Sequence, residues 1–213
     1  MNLLIKFCLI FCTVSITSLW AISEGVEYEN LNKQLDGETN SVIKAFSYTC
    51  IHCYNHHKLN TLGKVKEKLP NLEYKIYPVK SFTFGEEFAQ VYAYAQFQDE
   101  KNKISFTDKN ALTQRVADAY FTAYFERKQR YSNSDDFLKL GLLVLKINKT
   151  QLNNFLQSKD GKRIYSSYDK ASVLSAQYGG TPAFAVAGKY LLRMENIKSL
   201  EHLIEVVKAL SSK

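Results

Sequence analysis

The sequence predicts an α/β domain in which a βαβ unit and a closing ββα unit flank an inserted run of helices. Three observations point there. A short β-branched run, Ser41–Ser47, stops at a Cys-x-x-Cys motif and is followed by helical periodicity. A long stretch with helical spacing fills the middle of the chain, and strand signals return only after Gly179 and Gly180. With 213 residues, 46% of them hydrophobic and 13% aromatic, the chain can bury a sizeable core.

The chain opens with Met1, Asn2, Leu3, Leu4, Ile5 and Lys6, then an almost uncharged apolar run from Phe7 to Trp20, and the small residue Ala21. This is the pattern of a cleavable signal peptide over residues 1–21, and the run is shorter than the roughly 20 apolar residues that span a bilayer. An uncleaved tether is the alternative. Cys12 does not read as a lipoprotein site, because bulky Phe11 precedes it where a small residue is required. Cleavage near Ala21 removes Cys8 and Cys12, so the mature chain keeps Cys50 and Cys53 and has no other disulfide framework. The expected compartment is an oxidising one reached by secretion.

After the Ser41–Ser47 strand, Leu59, Leu62 and Val65 recur at helical spacing from Cys53 onward, and Pro70 closes that helix. Leu72–Val79 alternates Leu72, Tyr74 and Ile76 with Glu73 and Lys75, as a strand with one covered face does. Helices are expected over 86–97, 110–127, 134–147, 150–157 and 162–178. Ser134 and Thr150 are read as N-caps, with Asp135 and Asp136 complementing a helix start. A hairpin follows, Thr181–Val186 and Tyr190–Met194 around Gly188. The last helix, Ser199–Leu210, carries Leu200, Leu203, Ile204, Val207 and Leu210 on one face. The organisation expected is residues 22–84 as the first part of the fold, 85–165 as the inserted helical subdomain and 166–213 as the second part.

The formal charge of +7, or +6 once Lys6 leaves, is spread over many lysines, which reads as a solvated surface. No nucleic-acid motif is present. The chemistry sits in Cys50, Ile51, His52 and Cys53, at the junction of a buried strand and a helix, where such a pair reads as a redox centre. The positive end of the helix favours a thiolate on Cys50, moving it toward the range of about 3.5 to 7.5 seen for activated cysteines. His52 between the cysteines is a candidate to stabilise that thiolate further, whereas His202 on the last helix reads as surface. Two other readings stay open. Cys50, Cys53 and His56 or His57 could ligate zinc, although no second cysteine pair exists to complete the set, and a purely structural Cys50–Cys53 disulfide would close only a tiny loop.

The segment Phe46, Ser47, Tyr48, Thr49, Cys50, Ile51, His52, Cys53, Tyr54 resembles the active-site segment of the DsbA family of periplasmic disulfide oxidases. Gly180, Thr181, Pro182, Ala183, Phe184, followed by Gly188, Lys189 and Tyr190, is similar to that family's cis-proline loop and hairpin. The resemblance implies a thioredoxin fold with an inserted helical subdomain, a cis Pro182 beside the cysteine pair, and main-chain pairing of substrate with residues around Thr181. It implies a monomer that needs no cofactor or metal, oxidises reduced secreted or periplasmic proteins, and returns its electrons to a DsbB-type quinone-linked membrane oxidase. A reductase or isomerase could use the same motif. Two positions depart from the family pattern. Ile51 stands where proline often follows the first cysteine, and Lys44 stands where an acidic residue commonly lies beneath the pair, which makes Lys44 a candidate for tuning the thiolate.

Overall fold

The computed structural model describes residues 22–213, so the leader, Cys8, Cys12 and the cleavage point at Ala21 lie outside the described residues. The chain runs through β1 (Tyr28–Asn30), β2 (Ser41–Phe46), α1 (Ile51–Lys58), α2 (Thr61–Lys68), β3 (Glu73–Pro78) and α3 (Gly85–Lys101). Next come α4 (Leu112–Phe121) with a π-helical turn over Thr122–Glu126, α5 (Ser134–Leu145), α6 (Lys149–Gln157), α7 (Lys159–Ser167) and α8 (Asp169–Tyr178). It closes with β4 (Ala183–Val186), β5 (Tyr190–Leu192) and α9 (Leu200–Ser211). The strands form one sheet in the order β1-β5-β4-β2-β3, with β2 parallel to β3 and antiparallel to β4. This is the thioredoxin fold with helices inserted between β3 and β4.

Strand β2 sits inside the sheet and is buried along its whole length. Its alternate residues enter different cores. Ile43 and Ala45 pack with Ala171 and Leu174 of α8, while Val42 joins Phe184 of β4, Leu62 and Val65 of α2, and Leu203, Val206 and Val207 of α9. Each large apolar side chain buried this way stabilises the fold by about 1.5–3 kcal/mol relative to exposure. Helices on both faces therefore fix the depth and direction of β2, and with it the point where the cysteine motif begins.

Several boundaries differ from the sequence expectation, for identifiable reasons. The helix after the motif is two helices, because Asn60 adopts a left-handed conformation (φ 47°, ψ 43°) that asparagine tolerates. Leu59, at that break, faces solvent at 60% exposure. The stretch read as 162–178 divides at Tyr168 into α7 and α8, and α7 begins earlier because the Ser158 hydroxyl accepts from the Gly161 N–H. The caps of α5 and α6 are Asn133 and Asn148, one and two residues ahead of Ser134 and Thr150. Each side-chain oxygen accepts a first-turn N–H, and Asn148 forms a reciprocal capping box with Gln151. Strand β1 was not anticipated, since three residues are too few to show a period. His202 is a core residue at 1% exposure, because it falls on the α9 stripe with Val206 and Leu210.

One buried carboxylate ties three segments together. Glu38, 1% exposed, accepts from Lys75 Nζ of β3 at 2.7 Å and from Lys170 of α8, just before the chain enters β2. Removing it leaves two half-buried ammonium groups with weaker partners, Lys75 with Glu73 at 3.1 Å and Lys170 with the Asp36 carbonyl at 3.0 Å. Glu38→Ala should therefore lower stability by about 3 kcal/mol in urea melts, the low end of the cost of breaking a buried pair.

Candidate active site

Where β2 ends at Phe46, the chain makes a short polar turn. The Thr49 N–H donates to Ser47 Oγ at 3.2 Å, the Ser47 and Thr49 hydroxyls share a 2.8 Å hydrogen bond, and the Cys50 N–H donates to the Ser47 carbonyl at 3.2 Å. Tyr48 anchors this turn, its hydroxyl donating to the Thr83 carbonyl at 2.8 Å. The result places Cys50 as the N-cap of α1 in extended conformation (φ −92°, ψ 117°), its sulfur accepting from the Cys53 N–H at 3.2 Å. A sulfur thus takes the place usually held by a serine or aspartate oxygen at a helix start.

From the other side, the loop leading into β4 closes on the same sulfur. Gly179 and Gly180 take positive φ values of 81° and 157°, the Thr181–Pro182 bond is cis, and Cys50 Sγ lies 3.0 Å from the Thr181 carbonyl oxygen, to which it donates when it is protonated. Cys50 is partly accessible while Cys53 is completely buried. Their acidities separate accordingly. Cys50 is lowered to about 6, chiefly by the hydrogen bond from the Cys53 thiol and, against partial burial, by Thr181 and the N–H groups of Cys53 and His52. Burial pushes Cys53 strongly upward, reinforced by the hydrogen bond and charge of Cys50. The arrangement holds one thiolate and one thiol in contact.

His52 and Ile51 are exposed, and what His52 contributes to the sulfur is its main-chain N–H. His56 and His57 point elsewhere. His56 Nδ1 hydrogen-bonds Thr61 Oγ1 at 3.0 Å and its ring packs edge-on against Phe184, while His57 Nε2 lies 3.6 Å from Asp118. Among the described residues no group of three or more His, Cys, Asp or Glu side chains is arranged to hold a metal ion, so the zinc reading has no support.

Lys44 is buried, at 5% exposure, on the face of β2 that also carries Val42 and Phe46. Its register partners are Ile76 and Phe184, and Nζ lies 5.7 Å from the centroid of the Phe46 ring. Burial lowers its pKa, while charge on Cys53 and Cys50 raises it. Sequence reasoning did not find the role of Tyr54. Its ring stacks on Phe121 and Phe125, with centroids at 5.2 and 5.4 Å, and its hydroxyl donates to Glu126. The π-helical turn delivers Phe125 and Glu126 to it, and no residue pattern in 122–126 announces that turn.

No family model matches the chain. Among curated proteins, the thiol:disulfide interchange protein DsbL of Escherichia coli O6:H1 (strain CFT073) is 30% identical over 217 residues, spanning 96% of each sequence. DsbL of Klebsiella pneumoniae matches to the same extent. Among solved structures, Salmonella enterica serovar Typhimurium DsbL superposes with a TM-score of 0.84 at 27% identity, over 91% of this chain and 99% of that one. The disulfide oxidoreductase DsbA of Proteus mirabilis gives 0.68 at 25% identity, over 90% and 98%.

In the reduced protein, thiolate absorbance should titrate near pH 6, disappear in Cys50→Ala, and move to higher pH in Cys53→Ala, which removes the thiol donor. The unfolded chain titrates near about 8.5. The lowered value therefore stabilises the reduced fold fully above that pH, and this contribution is lost as pH falls through about 6. Denaturant melts of the reduced protein between pH 5 and 9 measure it.

Proposed function

The chain belongs to the DsbA family of thioredoxin-fold thiol:disulfide oxidoreductases, and from that premise we propose that it is a periplasmic disulfide oxidase acting through Cys50 and Cys53. A substrate thiolate attacks Cys50 Sγ of the oxidised pair, forming a mixed disulfide and releasing the Cys53 sulfur. A second substrate thiolate then attacks the substrate sulfur of that bond. The substrate leaves oxidised, and the enzyme keeps two electrons as the Cys50 thiolate and Cys53 thiol. When the second step fails, Cys53 attacks Cys50 and frees the substrate. No cofactor enters these steps.

The observation that carries the oxidase direction is the unequal environment of the two sulfurs. Donors from Cys53 and the first turn of α1 stabilise the Cys50 thiolate, which exists only after reduction. Whatever stabilises the reduced form makes the disulfide a stronger oxidant. His52 adds to this as a main-chain donor. Thr181 and Pro182 form the substrate rim, where main-chain groups beside Cys50 pair with an extended peptide and side-chain preference stays low. Residues 85–165 serve as the inserted subdomain. The partners in this reading are reduced secreted or periplasmic proteins on one side and a DsbB-type quinone-linked membrane oxidase on the other. The enzyme acts as a monomer after its leader is removed.

The protein should introduce disulfides into a reduced, unfolded test substrate, Cys50→Ala should abolish this, and Cys53→Ala should accumulate mixed disulfides through Cys50. The reduced protein should unfold at higher denaturant concentration than the oxidised protein. A more stable oxidised form would assign the chain to reduction instead.

A further inference from the structure

Lys44 is a buried amine whose surroundings change charge with the redox state of the cysteines. A cavity of about 20 Å³ reaches it, walled by Phe46, Ile76, Phe106 and Phe121, with no carboxylate in its lining. Helix α1 presents His56 and His57 to this cavity, and Cys53 lies on the same helix face one turn earlier. α3 presents Tyr92, and α4 places Asp118, itself largely exposed, beyond the mostly buried His57. Burial, then Lys44, then His52 hold His56 down at about 4, and His57 is lowered by burial and Lys44 against the pull of Asp118. Asp99 of α3, a buried carboxylate behind Thr113 of the cavity wall, accepts from the Leu112 and Thr113 N–H groups and the Thr113 hydroxyl, and the negative charge that acts on a Lys44 ammonium is that of the cysteine sulfurs.

We propose that Lys44 is a redox-linked proton acceptor, neutral beside the Cys50–Cys53 disulfide and protonated beside the reduced pair. The reasoning is electrostatic. In the disulfide neither sulfur carries charge, so burial alone acts on the amine and favours its neutral form. Reduction creates a thiolate whose charge is felt at the amine, and the ammonium becomes the counter-ion. The balance closes without a further reactant. A substrate dithiol supplies two electrons and two protons; Cys53 keeps one proton as its thiol, Lys44 takes the other, and Cys50 remains a thiolate. With an uncharged residue at position 44 the second proton goes to water. His57, Asn60 and Gln114 separate the cavity from an open cleft that Lys58, Lys109, Arg115 and Asp118 also line, and the amine exchanges its proton with solvent on that side during reoxidation.

The inference rests on the proposed exchange reaction, and its test separates the two. Oxidised protein is reduced with dithiothreitol in weakly buffered solution containing a pH indicator, and the reduction potential is measured in thiol–disulfide buffers across pH 7 to 9. Wild type should release close to no protons per disulfide reduced. The constant of its reduction half-reaction should change about a hundredfold per pH unit, about 60 mV for a two-electron couple, where one bound proton gives about 30 mV, and its exchange constant with a fully protonated dithiol should stay flat. Lys44→Met should release one proton and follow the shallower slope. If wild type itself releases one proton and follows the shallow slope, Lys44 does not change protonation and the inference falls, whether or not the variant folds. A pair that does not equilibrate with thiol buffers at all would instead overturn the oxidoreductase reading.

Discussion

The site depends on the position of the Cys50 sulfur at the start of α1, where the Cys53 thiol and the Cys53 and His52 N–H groups converge on it. That position arises because a strand buried on both faces ends one short turn before a helix, so the first free N–H groups of that helix meet the side chain of residue 50. The same geometry turns Cys53 inward, three residues along, into complete burial. Two identical side chains thereby acquire opposite roles, one a stabilised anion open to a partner and the other a thiol that donates to it. The Thr181 carbonyl approaches the accessible sulfur from the neighbouring strand connection, which brings the cis-proline loop and Cys50 together although 131 positions separate Thr181 from Cys50 in the chain.

Much of this was legible in the residues. The β-branched run before Cys50, the periodicity after it and the Gly-Gly-Thr-Pro segment identified the strand, the helix and the loop, and the cysteine spacing identified the chemistry. What was not legible depends on conformations that several residue types share. Asn60 breaks the first helix by adopting a left-handed conformation, yet nothing in Leu59-Asn60-Thr61 requires it to. Asn133 and Asn148 outcompete the adjacent hydroxyl residues as caps, a preference of position rather than of type. His202 was misread because polarity suggested exposure. Its place on the α9 stripe overrides that, with Nδ1 accepting from the Lys198 N–H at 3.3 Å and Nε2 3.9 Å from Glu27.

The inserted helices are fastened to the redox helix by aromatic contacts. Tyr48 lies between Phe88, Tyr120, Tyr124 and Phe137, with ring centroids 5.1–5.9 Å away, and Tyr54 stacks on Phe121 and Phe125. These two tyrosines bracket the cysteine motif in sequence, so the turn before it and the helix after it are held by the same packed body. Aromatic pairs of this kind contribute about 0.5–1.5 kcal/mol each beyond their burial. The π-helical turn at Thr122–Glu126 shifts the register of the C-terminal end of α4 so that Phe125 and Glu126 both reach Tyr54. A composition rich in tyrosine and phenylalanine hinted at such packing without saying which rings meet.

The two departures from the family pattern act on different parts of the site. Ile51 occupies the first helical position, where an N–H has no partner within the helix and proline is tolerated for that reason. The main-chain donors that lower Cys50 belong to His52 and Cys53, so exchanging proline for isoleucine leaves them in place and adds an apolar side chain at 46% exposure beside the nucleophile. The change therefore bears on what approaches Cys50 more than on how its charge is held. Lys44 acts from beneath instead. A carboxylate there would add negative charge next to a forming thiolate, whereas an amine is either neutral or a counter-ion. In both of its states Lys44 avoids the repulsion that an ionised acid would impose on the forming thiolate.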